Sequence, residues 1–188
     1  MNRWYQSIFA ALIFGALALA FTIVGVLVGP ADVQVGGVRP ENTIAPHLVE
    51  LAGFGLLLGI GSLVVYGRKR IPLVFLIPSL VVLLDLDHLP VYLGYSEPIR
   101  PAHSLVFLAV ALALTAVTIR ALDIELAIVT AFMGHLAVDT GLFAPLSPLS
   151  FDYVNLTPYR IPLGAGAVLL TIAAGVFLRL RARGGRDV

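Results

Sequence analysis

Four histidines and a handful of acids stand inside or beside the apolar stretches of this 188-residue chain, and together they make a metal-ligand set. His135-Leu136-Ala137-Val138-Asp139 spaces an imidazole and a carboxylate four residues apart, which puts both on one face of a helix. His47 and Glu50, three apart, share a face in the same way. Asp85-Leu86-Asp87-His88 offers three donors in four residues, and Ala102-His103-Ser104 adds a further imidazole. Carboxylate and neutral imidazole are natural ligands of divalent cations, zinc first among them, and a set this large could hold two or three ions. Singly, each group has a plainer reading: a packed histidine, an interfacial turn with solvated acids, a hydrogen-bonded pair. Their joint placement decides between the two.

The elements that must position them follow from composition. The chain is 59% hydrophobic and only 12% charged, with a mean hydropathy of +0.98. A soluble domain carries roughly 25% charged residues. This excludes a soluble globular domain, a disordered chain and a nucleic-acid binder with a basic face. The absence of cysteine excludes a disulfide framework and any thiolate ligand or nucleophile.

A spanning helix needs about 20 mostly apolar residues. Six runs approach that length: 8–28, 48–66, 71–93, 104–119, 122–143 and 161–178. The first resembles a signal peptide in its Met1-Asn2-Arg3 start and Ala18-Leu19-Ala20 triplet, but it continues well beyond the usual apolar region of about 7–15 residues, so a retained helix is expected. Pro72 and Pro78 predict a kink in the third run. The expected fold is all-α, a polytopic membrane bundle of about six helices forming a single domain. Residues 1–45 would be an extra N-terminal helix and outer loop, 46–150 the metal-site core, and 151–188 an outer loop and last helix with a basic tail.

Lys and Arg in short loops orient such a bundle. With the N-terminus inside, Arg3, Arg68, Lys69, Arg70, Arg120, Arg179, Arg181, Arg183 and Arg186 fall on the cytoplasmic side, against Arg39, Arg100 and Arg160 outside. Both termini are therefore expected in the cytoplasm. On that map His47, Asp85, Asp87, His88, His103, His135 and Asp139 all fall toward the outer side. At about 1.5 Å per residue, Asp85 and His135 lie roughly 20 Å from the inner ends of their runs. Each acid near a bilayer centre costs about 2.5–3.5 kcal/mol unless it is paired, and a divalent cation would offset that cost.

At these residues the sequence resembles the membrane-bound metal-dependent hydrolase family, the YdjM-like group, which is distantly similar to zinc-dependent phospholipase C. The pieces that carry the resemblance are His47, Leu84-Asp85-Leu86-Asp87-His88, Ala102-His103-Ser104, His135-Leu136-Ala137-Val138-Asp139 and the Gly/Pro-rich 141–148, in the family's order across about 45–150. Two features depart from it. Pro98 stands where the family has the first His of a His-Arg-Gly block, and a helix and loop precede the early His. The resemblance implies clustered metals that cleave phosphoesters.

The expected activity is metal-dependent hydrolysis at the outer membrane interface, on a phosphoester of a lipid or lipid-linked substrate, in a prokaryotic cell membrane. The expected ligands are His47, Asp85, Asp87, His88, His103, His135 and Asp139. Asp85 could instead orient a ligand, and either Glu50 or Asp85 could serve as general base. Arg100 could hold an anionic group. The segment 150–160 lies on the same side and could cover the site; its aromatics fit an interfacial belt. The rival reading is a divalent-metal transporter or a metal-binding membrane protein without hydrolysis. Helices one, four and six have no ionisable residue in their interiors and the inner half of helix three is uncharged, which argues against a pathway, and the absence of His-Glu-x-x-His argues against a peptidase.

Overall fold

The computed structural model describes residues 2–28, 40–66, 71–92, 100–139 and 142–184. The basic triplet 68–70, Arg39, Pro98 and Arg186 lie outside them. Among the described residues the fold is almost wholly helical: α1 (Arg3–Val28), α2 (Pro40–Tyr66), α3 (Pro72–Leu83), the four-residue α4 (Leu89–Tyr92), α5 (Leu105–Thr118), α6 (Leu122–Val138) and α7 (Arg160–Gly184). Short 3₁₀ turns at Leu84–His88, Pro101–His103 and Thr157–Tyr159 separate some of them. A two-residue antiparallel pairing, β1 (Leu142–Phe143) with β2 (Val154–Asn155), closes the segment between α6 and α7.

Among the described residues, three stretches are long and apolar enough to cross a membrane: Arg3–Val28, Pro46–Leu63 and Thr157–Arg181. The distribution of polarity agrees with a lipid surround. Leu12, Leu27, Leu57, Val117, Ile161 and Leu169 are exposed, while Asp85, Asp87, His103, Asp123 and His135 are buried. That is the reverse of a water-soluble fold, and it makes the chain a membrane protein.

Three of the expected runs differ in detail. The second helix begins at Pro40 rather than beside His47, so His47 lies inside α2. The third does not continue as α-helix through its acids; it stops at Leu83 and tightens into the 3₁₀ turn Leu84–His88. The fifth ends at Val138, and Leu142–Phe143 pair as a strand instead of extending it.

Two glycines set a close contact between helix backbones. A Cβ on Gly59 would lie 2.6 Å from the Val74 carbonyl oxygen, and one on Gly55 would lie 2.7 Å from the Pro78 Cα. Small residues four apart let two backbones approach in this way. As α2 runs back from Gly59 to Gly55, α3 advances from Val74 to Pro78, so the two helices are antiparallel. Eight further residues back along α2 stands His47, seven further along α3 stands Asp85, and their side chains meet. The missing residue is accounted for by the steeper rise of the 3₁₀ turn, about 2.0 Å per residue against about 1.5 Å.

The opposite end is marked by Arg3, whose Nη1 donates to Asp123 Oδ1 at 3.0 Å. Arg3, Ser7, Pro72, Leu73, Asp123 and Ile124 line one small cavity, so α1, α3 and α6 all start at this end. Farther along, Phe107 of α5 sits edge-on to Phe14 and Phe21 of α1, with ring centroids 4.9 and 5.3 Å apart. Gly15 faces Leu83 and Leu86, which sets the Asp85 turn about 18 Å along α1 from Arg3.

The glycine contact carries a test. Gly59→Leu drives a side chain into the α3 backbone and is expected to destabilise the bundle by about 1–3 kcal/mol, read as a lowered Tm in detergent. Gly61→Leu, where a Cβ meets nothing within 4 Å, should leave Tm unchanged.

Candidate metal centre

Three breaks in regular helix deliver the site. In a 3₁₀ turn residues three apart are eclipsed, so Asp85 and His88 lie over one another, with His88 Nε2 3.6 Å from Asp85 Oδ1. Asp87, between them in register, points elsewhere, and its Oδ2 meets His103 Nδ1 at 2.5 Å. His103 ends the turn Pro101–His103, immediately before the cap of α5. The Ser104 hydroxyl accepts from the Phe107 amide at 3.0 Å and donates to the Pro101 carbonyl at 2.7 Å, which pins the backbone on both sides of His103. Asp139 is the C-cap of α6, with an extended backbone, and Pro145 beyond it accepts from the Leu105 amide at 2.9 Å.

The imidazoles of His103 and His135 face each other, Nε2 to Nε2, at 2.6 Å. The far nitrogen of each ring is already committed. His135 Nδ1 lies 2.7 Å from the Val81 carbonyl oxygen, which only accepts, so Nδ1 carries the hydrogen. His103 Nδ1 is held by the Asp87 carboxylate. With both hydrogens on Nδ1, two Nε2 lone pairs point at one another. A proton shared between the rings or a cation bound by both removes that repulsion.

The surrounding carboxylates favour the cation. Asp85 Oδ1 lies 3.5 Å from His135 Nε2, and Asp139 Oδ2 lies 3.2 Å from His103 Nε2. Both oxygens of Asp85 and Oδ1 of Asp87 are buried without a hydrogen-bond partner. A shared proton would satisfy the two nitrogens and leave those oxygens as they are; a divalent cation would engage nitrogen and oxygen together. Two triads among the described residues could hold an ion, Asp85–His103–His135 and Asp87–His88–His103, and every member is buried. The Asp87–His103 contact is also the orienting bond usual behind a metal-bound histidine.

The remaining expected residues are placed as follows. His47 lies at the rim, 27% exposed at its side chain, with Nε2 3.7 Å from Asp85 Oδ2. Arg100 is buried and its Nη1 donates to Asp139 Oδ2. His135 Nε2 and Asp139 Oδ2 are 4.0 Å apart, although Asp139 has left the helix. Glu50, three residues after His47 on α2, is exposed. Pro98 lies outside the described residues. Of the aromatics in 150–160, Tyr159 is exposed and Phe151 half-buried.

One participant had no signature in the sequence. The Val81 carbonyl belongs to the last turn of α3, where carbonyls lose their intrahelical donors, and nothing about a valine side chain announces that role. Ser104 was visible as part of Ala102-His103-Ser104, but its capping function depends on where α5 begins.

The fold and site thus define a helical membrane protein with a buried Asp/His cluster able to hold a metal ion. Comparison with protein-family models, curated proteins and solved structures finds no match.

Removing the cap tests how firmly His103 is held. Ser104→Ala is expected to cost about 1 kcal/mol of stability, seen as a lowered Tm, whereas Ser104→Thr, which keeps the hydroxyl, should cost less.

Proposed function

We propose that this protein is a membrane-embedded, metal-dependent hydrolase whose site binds a divalent cation, zinc first among candidates, and acts on a phosphoester of a lipid or lipid-linked substrate. The observation that carries the metal is the convergence of His103 Nε2, His135 Nε2 and the Asp85 carboxylate, whose oxygens have no hydrogen bond, in a buried place. Burying such groups costs several kcal/mol per ion unless they are compensated.

Asp85, His103 and His135 would hold the cation, with His47 and His88 beside them. Asp87 and the Val81 carbonyl fix the two rings in the tautomer that presents Nε2. A divalent cation bound there supplies Lewis-acid chemistry, polarising an ester oxygen and making water more acidic. The second Asp85 oxygen is suited to accept a proton from an attacking water. Glu50 is less suited to that role, because it is exposed where Asp85 is buried.

We read the bundle as six-spanning, with both termini cytoplasmic and the site toward the extracytoplasmic side. Support comes from the Arg3–Asp123 end, where α1, α3 and α6 begin next in sequence to Arg3, the basic triplet 68–70 and Arg120. The cluster lies about 18 Å away along α1, beyond the middle of a hydrocarbon core about 30 Å thick. A site at that depth meets substrates carried in the outer leaflet, which favours a lipid.

One observation favours the second reading, a metal-binding membrane protein without hydrolysis. Every member of the cluster except His47 is at most 8% exposed, which also suits an ion that ties helices together.

Metal analysis decides first. Purified protein is expected to carry a divalent transition metal that His135→Ala loses, and a native protein free of metal would rule out the hydrolase. Release of phosphate or diacylglycerol-type product from phospholipid or chromogenic phosphodiester substrates then separates the enzyme from the metal-binding rival. Sidedness has its own check: Pro98→Cys, the only thiol in the chain, should react with an impermeant reagent from outside, and reaction only after lysis would invert the map.

A further inference from the structure

We infer that the centre holds one divalent cation per chain, and that Arg100 takes the place of a second by neutralising Asp139. This rests on the metal reading above and narrows the two or three ions that the donor count allowed. The two triads share His103. That ring cannot serve both, because its Nδ1 is held by Asp87 Oδ2 at 2.5 Å and only Nε2 presents a lone pair. Asp139 belongs to neither triad among the described residues. Its Oδ2 is instead taken by the buried guanidinium of Arg100.

Charge leads to the same count. Asp85, Asp87 and Asp139 carry three negative charges, Arg100 carries one positive charge, and the histidines are neutral in the tautomers that bind metal. Two negative charges remain, which one divalent cation cancels. A second ion would leave a net charge of two in a buried, low-dielectric place. Arg100 is fixed by covalent attachment and always charged, so the Arg100–Asp139 pair is a neutral unit that shapes the field around the ion without ligating it.

The test uses the full chain in detergent, stripped with chelator and titrated with Zn²⁺, with stoichiometry from elemental analysis and Kd from competition. Wild type is expected to bind one equivalent. Asp139→Asn leaves the Arg100 charge uncompensated and should raise Kd about 10-fold or more. The double variant Arg100→Gln/Asp139→Asn removes the pair with no change of net charge, and should return Kd to within about threefold of wild type, still at one equivalent. A double variant as weak as Asp139→Asn would mean that Asp139 ligates directly, and the inference fails. Two or more tight equivalents in wild type also overturn it while the metal reading stands. No zinc bound at all overturns the metal reading itself. Arg100→Lys keeps the charge; one equivalent is expected there, and a second would overturn the stand-in role.

Discussion

Two imidazole nitrogens 2.6 Å apart, each with its other nitrogen already donating, impose the central constraint on this molecule. Lone pairs do not face each other in a dry interior without something positive between or beside them. The acids around them sharpen the problem, because buried carboxylate oxygens without hydrogen bonds are costly in an apolar bundle. Arg100 removes part of that cost at Asp139. What remains unbalanced could hold a metal ion, and the folded bundle brings four separate segments together to create that arrangement.

Helix packing creates that arrangement through backbone geometry. Gly55 and Gly59 let α2 and α3 approach until backbone atoms nearly touch, which sets their register. With that register set, His47 arrives opposite Asp85. The switch from α to 3₁₀ at Leu84 then sends Asp85 and Asp87 to different partners, one toward the other imidazoles and one to the back of His103. The same switch lies beside the carbonyl of Val81, which orients His135. Had α3 continued as regular helix, Asp85 and His88 would no longer eclipse and the two acids would be displaced around the axis.

Much of this was legible in the sequence, and the reason is the bilayer. An environment that penalises charge makes each retained acid or histidine conspicuous, so His47, Asp85, Asp87, His88, His103, His135 and Asp139 could be named from scarcity and spacing. Run lengths located the helices to within a turn or so in most places. Less legible were the breaks. Periodicity does not distinguish α from 3₁₀ across five residues, so the tightening at Leu84–His88 and the end of α6 before Asp139 were read as continued helix. Spacing also puts Glu50 on the face of His47 but does not fix its depth: Glu50 is exposed, whereas the side chain of His47 is 27% exposed.

By itself, the sequence determined that the chain is helical and built for a membrane, and which side chains could ligate a metal, because hydrophobic run length and residue chemistry are local properties. Tertiary structure decided the contacts. Which nitrogen of each histidine faces the other ring, how Asp87 meets His103, and why Arg100 meets Asp139 all depend on contacts between residues 16 to 54 positions apart. Hydrogen-bond partners at that separation are set by helix register and by where a helix ends, and no spacing along the chain encodes either.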